Sequence, residues 1–239
     1  MLLSLEIPTP HLREFLPLTD FGFGLAQLYL DETQKEYHKL MQGCLLDNGM
    51  YELNDPLRIP ELIQAAILCK PEALIAPDWM NDMTRTLNAT IQLVFATEKF
   101  NADSNRLAKD RWAVGGVVQG RNLKDRVECF RELVDLGCEP ICFPFRTPRD
   151  ETIDALLASG ELKEDCWYHL LGLQRIEELV LKRPGKWSID TGKPFKGFRM
   201  DQLPIRGHGR LALHEPLTEK AHKAALWNIA YMRRVMQNG

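Results

Sequence analysis

Four polar side chains close short apolar runs in this chain. Asp47 follows Cys44-Leu45-Leu46, Asp78 follows Ala73-Leu74-Ile75-Ala76-Pro77, Gln119 follows Val117-Val118, and Asp190 follows Trp187-Ser188-Ile189. A carboxylate delivered by a buried apolar strand is costly to hold unless it is hydrogen-bonded, paired or used. Carboxyls placed in this way carry out proton transfer and nucleophilic attack. Asp190 is the centre of the reading, because Lys186 to Pro194 runs from an apolar strand straight into a turn of small and basic residues. An Asp before Thr-Gly is also an ordinary turn former, and Asp47-Asn48-Gly49 has the composition of an Asx turn. What raises Asp190 above a turn is that several strands end alike.

The elements that must position these groups alternate. Strands are expected at Leu2–Ile7, Gly24–Leu30, Cys44–Gly49, Ala73–Asp78, Trp112–Gly120, Pro140–Phe145, Trp167–Leu173 and Lys186–Asp190. Helices are expected at Glu32–Gln42, Ile59–Cys69, Asp82–Phe100, Leu123–Leu136, Arg149–Ala158 and Arg175–Lys182, with glycines such as Gly43, Gly137 and Gly160 at their ends. This alternation predicts an α/β fold with a parallel sheet, and a closed (β/α)8 TIM barrel accounts for the strand count more simply than an open sheet. In such a barrel Asp47, Asp78, Gln119 and Asp190 share one mouth. Residues 1–195 are expected to form the barrel. Residues 196–239 are expected to form a basic segment and a helix, Leu217 to about Met236, packed on it.

With 239 residues, 45% hydrophobic and 26% charged, the composition is that of an ordinary folded domain. No apolar run approaches the roughly 20 residues of a membrane span, and the amino terminus has no signal-peptide pattern, so a cytoplasmic location is expected. Six cysteines are scattered, with Cys138-x-x-x-Cys142 the closest pair. Reduced thiols are expected, with no zinc site and no other cofactor. The net charge of −3 means that a nucleic-acid partner would have to meet a local basic surface. Lys193, Lys196, Arg199, Arg206 and Arg210 supply a candidate for phosphate contact, and a solvated loop is the plain alternative.

In chain order, the motifs resemble those of the tRNA-guanine transglycosylases. Leu46-Asp47-Asn48-Gly49-Met50-Tyr51 is similar to their Asp-Ser-Gly-Gly-Phe segment, and Gly116-Val117-Val118-Gln119-Gly120 to their Val-Gln-Gly segment. His169-Leu170-Leu171-Gly172-Leu173 is similar to their Tyr-Leu-Met-Gly-Val strand, and Ser188 to Pro194 stands where that family carries its nucleophile. The resemblance covers about residues 44 to 195. The chain lacks that family's Cys-x-Cys-x-x-Cys zinc segment, and Phe143-Pro144-Phe145-Arg146 replaces its glycine-rich loop. In this it resembles the compact zinc-free phage-type DNA-guanine transglycosylases.

The resemblance implies exchange of guanine in DNA, rather than tRNA, for a 7-deazaguanine such as 7-cyano-7-deazaguanine. Asp190 would be the nucleophile and Asp47 the general acid and base, by the logic of retaining glycoside cleavage. Asp78 would accept the guanine donors and Gln119 would donate to its carbonyl, with Asn48, Gly49, Gly120 and Gly172 around the base. Tyr51, Met50 or Phe143 would sandwich the ring. His169 is a secondary candidate, since a histidine between apolar neighbours also reads as a satisfied core residue. A tRNA-guanine transglycosylase, a nucleoside or base hydrolase and a non-catalytic nucleic-acid-binding barrel are the alternatives.

Overall fold

The computed structural model describes residues 1–31, 34–41, 43–104, 111–201 and 213–239. Eight short strands alternate with helices: β1 Leu2–Leu3, β2 Phe23–Leu25, β3 Leu45–Asp47, β4 Ala73–Ile75, β5 Ala113–Val117, β6 Ile141–Pro144, β7 Trp167–Leu171 and β8 Lys186–Ile189. The helices are α1 Leu12–Phe15, α2 Ala26–Leu30, α3 Lys35–Leu40, α4 Met50–Leu53, α5 Ile59–Cys69, α6 Met83–Asp103, α7 Leu123–Asp135, α8 Arg149–Ala158 and α9 Glu219–Asn238. All ladders are parallel, in the order β1-β8-β7-β6-β5-β4-β3-β2. The fold is therefore the expected (β/α)8-barrel-like one. Its strands read as continuous apolar runs because the sheet is covered on both faces.

The seam between the two end strands is closed by other bonds. The Leu3 amide donates to Asp20 Oδ2 at 2.7 Å, the Asp20 amide donates to the Leu3 carbonyl at 2.8 Å, and Ser4 Oγ donates to the Phe21 carbonyl at 2.9 Å. Arg233 on α9 reaches the same Asp20 oxygen at 2.8 Å, so the last helix fastens this seam. Asn228, fully buried on α9, donates to the carbonyls of Pro194 and Phe198 and accepts from the Met200 amide. These bonds hold the turn after β8 against the helix.

Local chemistry explains the helix ends. Asp82 caps α6 through the Arg85 amide, Asn122 caps α7 through the Asp125 amide, and Thr218 caps α9 through the Ala221 amide. The helices at Ile59–Cys69 and Arg149–Ala158 have the expected bounds. Ala26 to Leu30 differ from expectation, because they form α2 rather than the rest of the strand. Leu25, Leu28 and Tyr29 are all buried, a spacing that fits one helical face following a three-residue strand as well as it fits a long strand. The expected helix at 175–182 is a 3-10 turn, Ile176–Val180. Among the described residues no helix is long and apolar enough to cross a membrane.

Candidate active site at the carboxyl ends of the strands

Parallel strands bring their carboxyl ends to one face, and the polar residues that follow them meet there. Asp190 lies one residue past β8 and is 2% exposed. Its Oδ1 accepts from the Gly172 amide at 2.9 Å and faces His169 Nε2 at 3.0 Å. The other ring nitrogen of His169 is bound as well. The Trp167 indole N–H, which can only donate, bonds Ser188 Oγ at 2.6 Å, and Ser188 Oγ lies 2.8 Å from His169 Nδ1. An ionised Asp190 can only accept, so it takes the single hydrogen of the neutral ring from Nε2, and the Ser188 hydroxyl is left to donate to Nδ1. Burial, and then the Arg149 charge, push the His169 imidazolium pKa down to about 3, so the ring is neutral. It is both a stacked core residue, 5.7 Å from the Phe23 ring, and a donor to Asp190.

A carboxyl that the sequence reading passed over stands beside them. Beyond β1 the Ser4 and Glu6 amides continue the bonding to the carbonyls of Ile189 and Thr191, at 2.8 and 3.1 Å. This brings the Glu6 carboxyl into a hydrogen bond with Asp190. Burial, followed by the Asp190 charge and that hydrogen bond, holds the Glu6 pKa well above the ordinary carboxyl value. Asp190 is also raised by burial, while the Glu6 hydrogen bond, the Gly172 amide and the Arg149 charge work against that rise. Glu6 lies inside the apolar run Leu2–Ile7 rather than at its end, so it lacks the strand-end position that marks Asp47, Asp78 and Asp190.

Asp78 and Gln119 form the second part of the site. Asp78 Oδ1 accepts from Asn48 Nδ2 at 3.0 Å and Oδ2 from Gln119 Nε2 at 2.7 Å, while Gln119 Oε1 accepts from the Asn81 amide at 3.1 Å. Asn48 also donates to the Ala76 carbonyl at 2.8 Å. Burial raises Asp78 despite these donors.

Asp47 completes the group at the end of β3. Its Oδ2 accepts from the Gly49 amide at 2.9 Å and Asn48 Oδ1 accepts from the Met50 amide at 2.8 Å, so the Asx turn is real and launches α4. Gly49 has φ +77°, and a Cβ there would sit 2.7 Å from Gln27 Oε1, an oxygen with no hydrogen-bond partner among the described residues. Gly49 thus serves the turn. Burial first, then Glu52, raises Asp47 well above its ordinary pKa, the Gly49 amide opposes this, and Asp78 and Asp190 add to it. Cys142 in β6, raised mainly by burial, is raised further by Asp47, Asp78 and Asp190 in turn, which marks it as the floor beneath the acids.

Other expected site residues lie elsewhere. Phe143 is 1% exposed and packs among Phe130, Tyr168 and Trp187, between sheet and helices, so it does not sandwich a ring at the mouth. The aromatic at the mouth is Phe145, 5.7 Å from Tyr51, with the Arg146 guanidinium 4.6 Å from the Tyr51 ring. Gly172 adjoins it, since a Cβ on Gly172, at φ +73°, would lie 3.1 Å from Phe145. Gly120 packs against α7, where a Cβ would meet Asp125 Cβ at 2.6 Å, so its small size serves helix packing.

The expected basic surface is also redistributed. Lys193 donates to the Leu173 carbonyl, and burial lowers its pKa to about 8. Lys196 is lowered by burial while Glu6 opposes the shift, which places it near Glu6. Arg199 pairs with Asp201 and lies 3.9 Å over Trp227. Arg206 and Arg210 lie outside the described residues.

His11, Glu14 and His222 gather where α1 meets α9, a composition that could suit a metal ion. His11 Nε2, however, accepts the Leu217 amide at 2.9 Å, which puts its hydrogen on Nδ1, facing Glu14. The contact that links the helices is His222 Nε2, 2.8 Å from Glu14 Oε1, while His11 Nδ1 lies 3.8 Å from the same carboxyl.

The raised carboxyls make stability depend on pH in an unusual sense. A carboxyl whose pKa is raised by folding binds its proton more tightly in the folded state, so its contribution is complete below the unfolded pKa and is lost as pH rises through the folded one. Asp47→Asn removes one such group, by at most about 1.4 kcal/mol per pH unit. The variant is expected to be more stable than the parent at pH 8, with the gap closing at pH 4. Urea melts at the two pH values check this.

No protein-family model matches the chain, and neither does any curated protein. Fold and geometry define the class instead: a (β/α)8-barrel-like protein with hydrogen-bonded carboxyls gathered at the carboxyl-end mouth.

Proposed function

We propose that the protein exchanges guanine in nucleic acid, DNA rather than tRNA, for a 7-deazaguanine through a covalent Asp190 glycosyl intermediate. The observation that carries this reading is the pairing of two differently tuned acids on one face. Burial raises both acids, but N–H donors from Gly172 and His169 oppose the rise at Asp190 and favour its charged form, whereas at Asp47 neighbouring negative charge adds to burial and favours the protonated form. In the first step an Asp190 oxygen bonds the anomeric carbon as the bond to guanine breaks, and the departing base takes the Asp47 proton. In the second, the incoming base gives a proton to Asp47 and displaces Asp190. Atoms and protons balance over the two steps, and no water is consumed.

Guanine selectivity fits Asp78, whose oxygens keep lone pairs beyond those used by Asn48 and Gln119. The Gln119 amide spends one hydrogen on Asp78 and keeps the other for a purine carbonyl. Adenine offers the opposite pattern and would leave these buried groups unpaired. A base in a duplex has to leave the stack to reach such a mouth.

The test is incubation with labelled guanine and either DNA or tRNA. Label is expected in DNA, with its release on adding an unlabelled 7-deazaguanine. Label in tRNA alone would contradict the choice of polymer. Release of many equivalents of base per protein from DNA without any incoming base would favour hydrolysis over exchange, since the covalent intermediate alone frees at most one equivalent.

A further inference from the structure

We propose that Glu6 is a positioning residue for Asp190: its carboxyl hydrogen donates to the Asp190 carboxylate and holds that group as a charged, oriented nucleophile. The inference rests on the reading of Asp190 given above and extends it to a residue on the first strand. Geometry leads to it through the pairing of the two strand ends, where the Ser4 and Glu6 amides bond the Ile189 and Thr191 carbonyls on either side of Asp190. Asp190 Oδ1 is taken by the Gly172 amide and faces His169 Nε2, and a neutral ring has one hydrogen to give. Glu6 is bonded to Asp190 from the adjacent strand end, fixed there by its own amide to the Thr191 carbonyl.

Two ionised carboxylates cannot share such a contact without strong repulsion, so the pair holds a proton between them. Asp190 accepts the Gly172 amide at 2.9 Å and faces His169 Nε2 at 3.0 Å, contacts that favour the charge on Asp190 and so the proton on Glu6; burial raises both groups, Glu6 well above the ordinary carboxyl value. The charged groups facing Glu6 from the turn after β8 are Lys193 and Lys196, which pull its pKa back down, and Tyr37 of α3 lies close enough to feel its charge. Burial and Asp190 outweigh the two lysines. As pH rises through the Glu6 pKa the donor is lost and the nucleophile acquires a like-charged neighbour.

The experiment is a carbon-13 NMR titration of side-chain carboxyls in the full chain, run beside exchange kinetics for the parent, Glu6→Gln, Glu6→Ala and Asp190→Asn. One Glu carboxyl is expected to titrate well above the ordinary range, to be absent from Glu6→Gln, and to return toward the ordinary range in Asp190→Asn. Titration of Glu6 in the ordinary range, or its indifference to Asp190→Asn, would overturn the proposal. In kinetics Glu6→Ala is expected to lose about 10²-fold in kcat, the scale of one preorganised hydrogen-bond donor, with KM nearly unchanged. Glu6→Gln, which keeps a donor, is expected to recover most of that loss. Equal rates for the Ala and Gln variants, or an Ala variant within twofold of the parent, would overturn it as well. The titration needs no turnover, so a chain without exchange activity removes the reading of Asp190 while the Glu6–Asp190 proton is judged separately.

Discussion

Asp190→Asn is expected to abolish base exchange, by on the order of 10⁴–10⁶-fold, the scale on which removal of a nucleophile is felt. The same change is expected to leave the fold within about 1 kcal/mol of the parent. The carboxamide oxygen can still accept from His169 and Gly172, and its N–H₂ can meet Glu6 once that carboxyl ionises. Loss of activity is then loss of the attacking oxygen, not loss of structure. The check is single-turnover exchange together with a urea melt. A variant that keeps more than about one part in a hundred of the parent rate, where removal of a nucleophile should cost far more, would place the nucleophile elsewhere.

Arg149→Met is expected to cost about 3–5 kcal/mol of stability, the most damaging single change we expect in the frame. Arg149 and Glu178 are each 1% exposed and bond through two nitrogens, Nε to Oε1 at 3.2 Å and Nη2 to Oε2 at 2.7 Å. Arg149 Nη1 also donates to the Phe143 and Leu171 carbonyls, at 3.3 and 3.1 Å, tying the ends of β6 and β7. Removing the cation leaves a buried carboxylate held by the Gln174 and Arg175 amides, with the Arg183 and Lys193 charges further off. At roughly 2–4 °C per kcal/mol for a chain of this size, the melting temperature should fall by about 10 °C. Replacing both partners, Arg149→Met with Glu178→Leu, is expected to regain much of that loss, because no uncompensated charge remains. Thermal melts of the two single variants and the double variant measure the coupling. Arg149 also helps keep Asp190 ionised, so the double variant is expected to be stable yet slower in exchange.

The frame was legible because it is written in local signals. Pro60 in the first turn and the Arg58–Glu61 bonds define α5, and Asn122 and Gly137 bracket α7, all within a few residues of chain. The convergence of Asp47, Asp78, Gln119 and Asp190 followed from strand ends once the parallel alternation was recognised. What escaped were features set by packing at long range. Phe143 and Phe145 are two residues apart on the same strand and its exit, and only the position of the strand end decides which one reaches the mouth. Lys193 and Lys196 looked like a phosphate surface in sequence, but the turn held by Asn228 directs them toward Leu173 and Glu6. Glu6 was hidden by a simpler cause, since a single acid in an apolar run near the amino terminus carries no motif. Its partner, Asp190, lies at the far end of the barrel sequence and becomes its neighbour only when β1 pairs with β8.

The most direct test of the central claim is to trap the intermediate. The protein is mixed with a guanine-containing single-stranded oligonucleotide without an incoming base, denatured rapidly, digested and examined by mass spectrometry. The expected result is a peptide carrying the oligonucleotide minus guanine, linked through Asp190, which disappears when a 7-deazaguanine is added before denaturation. An adduct on Asp47 or any other side chain, or exchange proceeding with no adduct at all, would contradict the account.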